Sequence, residues 1–371
     1  MKLSKGNRDL ILHGSLVKAV FAIAIPVVVN SFLQTMYNLT DTYWLGQLSV
    51  DYLAAINLVS PVQNTVINFG SGVTVAVLDT GLYGIAGGEH HEDIDPAKVV
   101  KPYNARRGEA GAETVTDDHG HGTFVAGMIF ANTNNELGIA GVMPNVRLMP
   151  IKVLTKANDA AVSDVVRAIN YAVENGADVI NMSLGSNDFS QTLKDACDAA
   201  VEKGVIVVAA AGNDGNSTPC YPAAYDSVVG VGSLTKDNLL AASSQYGESV
   251  YVTAPGAGVV STTNAANGYK RSSGTSFAAP EAAALAACYR SCLELARAHR
   301  IDSVDFPSIS TGVYGYPMAQ AASVALKAIM EDLRTHDHPC RVRMVCHTED
   351  AANIYRQTYN LWYAETKEDR L

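Results

Sequence analysis

Hydrophobic and polar positions divide the chain into three segments with different patterns. Residues 1–72 contain long uncharged runs, and residues 73–289 alternate short apolar runs with stretches of helical periodicity. Residues 290–371 carry a second, shorter set of helix and strand patterns. Because each pattern is typical of a different kind of structure, we predict three domains with these limits.

The first segment has two stretches that are long enough to cross a membrane. Residues 19–40 and residues 52–78 carry no charge. A spanning helix needs about 20 mainly apolar residues, so we predict one or two membrane helices. A cleaved signal peptide is the alternative interpretation of the first stretch. Basic residues precede that stretch and indicate a cytoplasmic N-terminus, namely Lys2, Lys5, Arg8 and Lys18.

Strands and helices alternate in the second segment. Apolar residues recur at helical spacing between 162 and 173, and Ser190 and Gly204 are suited to begin and end a second helix. The alternation predicts an α/β domain with a parallel sheet covered on both faces, whose ligands bind at the carboxyl ends of the strands. Continuous apolar runs predict strands buried on both faces, at 73–79, 178–184 and 205–211.

Four polar residues lie at predicted strand ends or helix starts and have the types needed for acyl transfer. Asp79 ends the first strand, His121 follows a glycine-rich turn, Asn213 follows a buried strand and Ser276 opens a helix. Asp, His and Ser in this order form one of the known chain orders of the catalytic triad. We predict that Ser276 is the nucleophile, His121 its base and Asp79 the residue that orients the imidazole. Asn213 and the Ser276 N–H would stabilise the oxyanion.

The sequences around these residues resemble the subtilase family of serine proteases in register. They read VLDTG at Asp79, HGHGTFVAG at His121 and SGTSFAAP at Ser276, and GIAGVMPN, YPAAY and VTAPG are also similar to family sequence. The resemblance covers about 73–289 and implies a subtilisin-like fold and a serine endopeptidase that acts on polypeptides. It also implies a pocket with a broad, apolar preference for the residue before the scissile bond. The implied pocket residues are Ser183, Leu184, Gly185, Ala210, Ala211 and Gly212.

The first segment resembles a different family. The sequence from Gly14 to Gly72 is similar to the opening of the multidrug and toxin extrusion (MATE) transporters, through their first two helices. The resemblance implies membrane association. It does not imply transport, because two helices cannot build a two-halved alternating-access path. We therefore expect a membrane-associated protein whose catalytic domain lies outside the cytoplasm.

The third segment predicts a small α/β unit. Its pattern gives helices at 285–300 and 349–362, strands at 303–307 and 341–346, and an amphipathic helix around Leu326. Residues 285–371 resemble the C-terminal half of a macrodomain, the ADP-ribose-binding module. The resemblance implies a phosphate-binding loop at Ser310, Thr311, Gly312, Val313 and Tyr314. Because the other half of such a module is not found in the sequence, ADP-ribose is not expected to bind.

The joins between these resemblances fall within units that should fold as wholes. We therefore interpret the chain as a chimera of three unrelated fragments, and we expect the catalytic sheet to lack part of its cover at both ends. The leading function is that of a serine endopeptidase. The alternatives are a catalytically silent chimera and an ADP-ribose-binding or ADP-ribose-hydrolysing protein.

Composition narrows the partners and cofactors further. The chain has 371 residues, a net charge of −10 and a pI near 5.3, and no dense basic run that would favour nucleic-acid binding. Its six cysteines have neither metal-ligand nor disulfide-framework spacing, so we interpret them as small buried residues, and the redox compartment stays open. The predicted chemistry requires no cofactor, and a structural calcium ion is left open.

Overall fold

A sheet whose central strands are buried and rich in β-branched residues forms the centre of the protein. The computed structural model describes residues 72–87, 89–309, 311, 316–339, 341–346 and 348–368. The strands of this sheet are β1 Thr74–Asp79, β2 Tyr103–Asn104, β3 Glu109–Ala110, β4 Arg147–Lys152, β5 Val179–Met182, β6 Ile206–Ala210, β7 Val229–Leu234 and β8 Val252–Pro255. Their order is β3-β2-β4-β1-β5-β6-β7-β8, and every neighbouring pair is parallel except β2 with β3.

Strand β1 lies between β4 and β5, and all of its residues are buried. Its side chains alternate between the two faces of the sheet, so Val75 and Val77 enter one apolar cluster while Ala76 and Leu78 enter the other. The register pairs Asp79, the last residue of β1, with Lys152. Asp79 is therefore held at the carboxyl edge of a sheet that is packed on both sides. The strands predicted at 73–79, 178–184 and 205–211 are confirmed.

Four helices cover the two faces of this sheet. They are α1 His121–Phe130, α2 Val162–Glu174, α3 Gln191–Glu202 and α4 Thr275–Ala298. Helices α2 and α3 pack on one face, and α1 and α4 pack on the other. Ser190 caps α3 as predicted, because its hydroxyl accepts a hydrogen bond from Leu193 N at 3.3 Å. The α/β architecture predicted from the sequence, a mostly parallel sheet covered on both faces, is confirmed.

A short hairpin and two short helices accompany helix α1. Strands β9 Val259–Thr262 and β10 Tyr269–Ser272 form an antiparallel hairpin. This hairpin is tied to α1 because the hydroxyls of Ser261 and Thr262 donate to the Phe124 and Thr123 carbonyls, each at 2.7 Å. Two 3-10 helices, Pro96–Lys98 and Ala112–Thr114, lie in the connection between β1 and α1.

The C-terminal segment packs against helix α4. It contains β11 Ser303–Phe306, α5 Met318–Thr335, β12 Arg341–Met344 and α6 Glu349–Glu368, and β11 pairs with β12 in parallel. Helix α5 lies against α4 and strand β8, and its apolar residues join the same core cluster as α1 and α4. The sequence analysis expects the sheet to lack cover after Ser276. The structure differs, because α4 continues to Ala298 and α5 packs against both α4 and strand β8.

An ion cluster fixes the contact between α4 and α5. Asp332 of α5 is fully buried and lies between Arg290 and Arg297 of α4. The Asp332 oxygens are 3.1 Å from Arg290 Nη1 and 2.5 Å from Arg297 Nη1. Arg290 also donates to the carbonyl of Gly204, which ends α3. Helices α3, α4 and α5 are thus joined by one set of charged hydrogen bonds.

The predicted domain limit between residues 289 and 290 falls within a helix of the fold. Residue 290 lies inside α4, which runs from Thr275 without interruption, and all described residues belong to one compact unit, Asn64–Leu371. The limits themselves stay a prediction. The predicted membrane stretches lie outside the described residues, apart from the part of 52–78 that enters β1. Within the described ranges, no helix combines the length and the apolar character needed to span a membrane.

Candidate active site

Asp79 and His121 form a buried hydrogen-bonded pair at the carboxyl edge of the sheet. His121 Nδ1 lies 2.8 Å from Asp79 Oδ1, which also accepts from Thr80 N at 2.7 Å. Because a carboxylate oxygen can only accept, Nδ1 carries the proton and Nε2 is left as the basic nitrogen of the neutral ring. Asp79 is 1% exposed, and its Oδ2 has no hydrogen-bond partner in the part of the chain that the structure describes.

Two glycines allow His121 to approach Asp79. Gly120 precedes α1 with φ of +92°, a conformation that favours glycine. Gly122 packs so closely on the end of β1 that a Cβ there would lie 2.3 Å from Gly81 O. The sequence GHG therefore brings the first turn of α1 against the end of β1, with the imidazole between them.

Ser276 lies in the first turn of α4, next to a residue that contacts His121. The ring of Phe277, the next residue, has its centroid 5.5 Å from that of His121. Ser276 Oγ donates to Ser183 O at 3.2 Å, and Ser183 Oγ donates to Ser276 O at 2.7 Å. Ser276 and His121, both among the described residues, share no hydrogen bond in this arrangement. Hydrogen bonds between catalytic groups are often formed only when substrate binds.

Asn213 is oriented by the residue that precedes Ser276. Its Oδ1 accepts from Thr275 N at 2.9 Å and from Thr275 Oγ1 at 3.2 Å. Since the backbone N–H can only donate, the oxygen of the amide must face Thr275, and Nδ2 points the other way. Asn213 and Ser276 line the same cavity, so two hydrogen-bond donors, Nδ2 and a helix N-terminus, border one space.

The cavity beside Ser276 measures about 290 Å³ and contains four of the six predicted pocket residues: Leu184, Gly185, Ala210 and Gly212. The other two lie behind it. Ser183 instead exchanges hydrogen bonds with Ser276, and Ala211 is fully buried with its N–H on Val231 O at 3.0 Å. Residues that the sequence analysis did not single out also line the cavity, namely Ser186, Asn187, Asp214, Cys220, Gln245 and Thr275.

Comparison with known proteins identifies the family. The subtilase family model matches residues 70–303, well over half of the chain. The chain belongs to the subtilase family. It is 43% identical over 217 residues to a thermophilic serine proteinase of Bacillus sp. (strain AK1), covering 58% of this chain and 52% of that protein. It is also 43% identical over 222 residues to subtilisin DY of Bacillus licheniformis, covering 59% of this chain and 76% of that protein.

A solved structure supports the same assignment of fold. The crystal structure of a cold adapted subtilisin-like serine proteinase aligns with a TM-score of 0.52 and 34% identity, over 59% of this chain and 76% of that chain. The subtilase chain thus spans about half the length of the thermophilic relative and three quarters of the solved one. The MatE family model matches residues 26–80, most of which lie outside the described residues. Insertion of that segment in a membrane stays a prediction.

Cys220 and Gln245 shape the cavity of this subtilase. Cys220 is 5% exposed, and a Cβ on Gly185 would lie 2.5 Å from its sulfur, so Cys220 fills the space that Gly185 leaves. Burial raises the pKa of the Cys220 thiol to about 11, which keeps it neutral at physiological pH. Gln245 is fully buried, and its Nε2 donates to Thr218 O at 2.7 Å. The position of Cys220 directly before Tyr221 and Pro222, in the family-like YPAAY, is the one sequence signal that could have pointed to it.

A larger hollow lies elsewhere on the surface. It measures about 380 Å³ and lies beside helix α2 and the stacked rings of Tyr103 and Tyr171, whose centroids are 3.9 Å apart. None of the predicted catalytic or pocket residues lines it. The candidate site of this protein is therefore identified by its catalytic groups and not by the size of its cavity.

The described residues provide no evident metal centre. In the described ranges, no group of three or more His, Cys, Asp or Glu side chains is placed to hold a metal ion. We therefore assign no calcium ligand. Of the predicted phosphate-binding loop only Thr311 is described, and Ser310, Gly312, Val313 and Tyr314 lie outside the described residues. The macrodomain resemblance stays a prediction.

Proposed function

We propose that the protein is a serine endopeptidase that hydrolyses peptide bonds through Asp79, His121 and Ser276. The observation that carries the proposal is the hydrogen bond of 2.8 Å between Asp79 and His121, with Ser276 and Asn213 bordering one cavity beside it. Family membership and the names of the relatives support the same activity. Release of new amino termini from a denatured protein or a peptide library tests it.

We assign a role to each group. The Ser276 side chain turns from Ser183 O toward the scissile carbonyl, and His121 Nε2 takes its proton. Asp79 holds the ring in the tautomer with a basic Nε2 and stabilises the imidazolium. His121 then returns the proton to the leaving amine. Water repeats the sequence on the acyl-enzyme, so these three residues supply the chemistry without a cofactor.

We infer that the cavity binds the side chain that precedes the scissile bond. Leu184, Ala210 and Cys220 give it an apolar part, while Asp214 and Gln245 add polar groups. A volume of about 290 Å³ suits an uncharged side chain of medium to large size. Most of the lining is polar, with Ser186 and Asn187 beside Asp214 and Gln245, so the broad, apolar preference expected from the sequence stays a prediction.

Replacing Asn213 by alanine should lower kcat by about 10²–10³-fold, because the developing oxyanion loses one preorganised donor. KM should change little, since the ground-state carbonyl depends less on that donor. Asn213→Asp is the matched variant. It keeps an oxygen toward Thr275 but removes the Nδ2 donor, so it should lose activity at least as severely. Steady-state kinetics at equal concentrations of folded protein measure both, and a wild-type kcat in either variant contradicts the role.

Activity should fall on the acid side at a pH above the ordinary titration of histidine. Burial alone would lower the pKa of His121, but the charge of Asp79 and its hydrogen bond to Nδ1 raise the pKa above 6.5. Only the neutral ring accepts the proton of Ser276, so activity is lost as the pH drops through that raised pKa. The pH dependence of kcat/KM on an uncharged substrate measures the acid limb, and a limb below pH 6.5 contradicts the assignment.

A further inference from the structure

A second carboxylate, besides that of Asp79, lies beneath the start of helix α1, close to His121. It belongs to Asp117, which is 3% exposed and is not a member of the triad. The two oxygens divide their contacts, with Oδ1 facing the turn before α1 and Oδ2 facing the helix. Five donors hold them: Thr80 Oγ1 at 2.8 Å, His119 N at 3.1 Å and Gly120 N at 2.7 Å on Oδ1, and Thr123 N at 2.8 Å and Thr123 Oγ1 at 2.6 Å on Oδ2.

Asp117 replaces the side-chain cap that α1 lacks. The first N–H groups of a helix have no partner within it, and the capping residue of α1 is Gly120, which has no side chain. The Asp117 carboxylate accepts hydrogen bonds from the N–H groups of Gly120 and Thr123. Thr80 Oγ1 accepts a hydrogen bond from Gly122 N at 2.8 Å. The helix that begins at the catalytic histidine is therefore capped from outside its own sequence.

The same contacts connect the cap to the end of β1. Thr80 donates its N–H to Asp79 Oδ1 at 2.7 Å and its hydroxyl to Asp117 Oδ1 at 2.8 Å. One residue thus binds the carboxylate that orients His121 and the carboxylate that caps the helix of His121. Loss of Asp117 would leave the bond from Gly122 N to Thr80 Oγ1 but remove the other ties between the start of α1 and Thr80, and so loosen the hydrogen bond between Asp79 and His121.

Asp117 also contributes a negative charge. Burial alone would raise the pKa of Asp117, but hydrogen bonds from Thr123, Gly120 and Thr80 outweigh it and hold the pKa below its ordinary value. The charge raises the pKa of His121, in the same sense as Asp79. The other ionisable groups near the ring are Lys270 of β10, which lowers the pKa of His121, and His119, whose ring centroid is 6.2 Å away.

We propose that Asp117 is a positioning residue of the active site, which fixes His121 against Asp79 and places a second negative charge behind the imidazolium that forms during hydrolysis. The proposal rests on the proposed function, because the imidazolium arises only if His121 serves as a base. Its two parts, geometry and charge, predict separate effects. Both can be measured on the intact chain.

The test is the Asp117→Asn variant, which keeps the size of the side chain and removes its charge. The amide must also turn a donor toward one set of N–H and O–H donors, so the cap is weakened. We expect kcat to fall by roughly 10- to 100-fold, as small misplacements of catalytic groups cause. We also expect the acid limb of kcat/KM to move to lower pH, because the imidazolium loses a stabilising charge.

Two further variants separate the effect of geometry from the effect of charge. Asp117→Glu keeps the charge but lengthens the side chain, so kcat should fall while the acid limb stays nearer to that of the wild type. Asp118→Asn removes an equal charge one residue along. Asp118 is half-exposed and pairs with Lys152 Nζ at 2.7 Å, so its removal should leave kcat within about twofold and move the limb less than Asp117→Asn does.

Proton NMR titration of His121 in the Ser276→Ala background gives the decisive result. The His121 pKa should be lower with Asp117→Asn than without it, and this readout needs no turnover, so it holds even if the chain proves not to be a protease. A folded Asn variant in which His121 titrates unchanged would overturn the proposal, with or without a loss of kcat. If that variant does not fold, carbon NMR of the Asp117 carboxyl group in the wild type is the deciding measurement. The carboxyl group should stay ionised while His121 titrates, and a neutral carboxyl there would contradict the proposal.

Discussion

Replacing Ser276 by alanine should lower kcat for peptide hydrolysis by about 10⁶-fold, the scale of loss recorded for the same change in subtilisin itself. The reason is that Ser276 supplies the hydroxyl whose proton His121 is proposed to accept, and the variant removes that nucleophile. The fold should be retained, because Ser276 is only half-buried and its hydroxyl makes a single bond of 3.2 Å to Ser183 O. Single-turnover assays at high enzyme concentration measure the residual rate.

A matched control for this change is Ser323→Ala on helix α5. Ser323 is partly exposed, and among the described residues its hydroxyl bonds to Ala319 O of its own helix, at 3.1 Å. That variant should keep wild-type kcat and KM. If Ser276→Ala remained as active as the control at the same melting temperature, another residue would have to be the nucleophile and the assignment would be wrong.

Replacing Asp332 by alanine should destabilise the protein by about 3–5 kcal/mol, the cost of leaving a buried charge without its partner. Asp332 is fully buried between Arg290 and Arg297, so its removal leaves two guanidinium groups facing each other at the contact of α4 and α5. Because α4 also carries Ser276, activity should be lost at a lower denaturant concentration than in the wild type. Urea unfolding followed by circular dichroism measures the change.

Glu331→Ala is the control for Asp332→Ala. Glu331 precedes Asp332 in the same helix and pairs with Arg334 at 2.8 Å, and the two side chains are 16% and 47% exposed, against 0% for Asp332. Surface pairs of this kind contribute about 1 kcal/mol or less, so the control should unfold close to the wild type. Equal, small effects of the two variants would show that the C-terminal segment does not stabilise the catalytic domain.

Those features of the fold that depend on local pattern could be predicted from the sequence. A buried strand such as β1 has continuous apolar character, and α2 has apolar residues at helical spacing, so both were found. Asp79 and Asn213 could be predicted because each follows a buried strand, and His121 and Ser276 because each lies at the start of a helix. Their meeting at one edge of the sheet follows from the parallel order of the strands.

The features that depend on packing between distant segments could not be predicted. The sequence analysis treats the chain after residue 289 as a separate unit, because that segment carries its own set of helix and strand patterns and resembles half of a macrodomain. It does not reveal that Asp332 would lie between Arg290 and Arg297, since no local rule pairs residues so far apart. The cover of α4 by α5 therefore appears only in three dimensions.

Individual pocket residues show the same limit at smaller scale. Ala211 and Ser183 belong to the predicted pocket segments but do not line the cavity, because Ala211 is fully buried and Ser183 exchanges hydrogen bonds with Ser276. Cys220 and Gln245 come from distant loops and replace them in its wall. Asp117 was likewise not singled out, because a carboxylate in a turn has no sequence signal that distinguishes a cap from a surface charge.

Labelling with a fluorophosphonate probe tests the central claim most directly, because such probes react only with a serine that is activated by a neighbouring base. The intact, folded chain should become labelled on the peptide that contains Ser276, as read by mass spectrometry. Labelling should disappear in Ser276→Ala and fall sharply below the pKa of His121. A folded protein that remains unlabelled, or that carries the label on another serine, would contradict the assembly of an active triad in this chain.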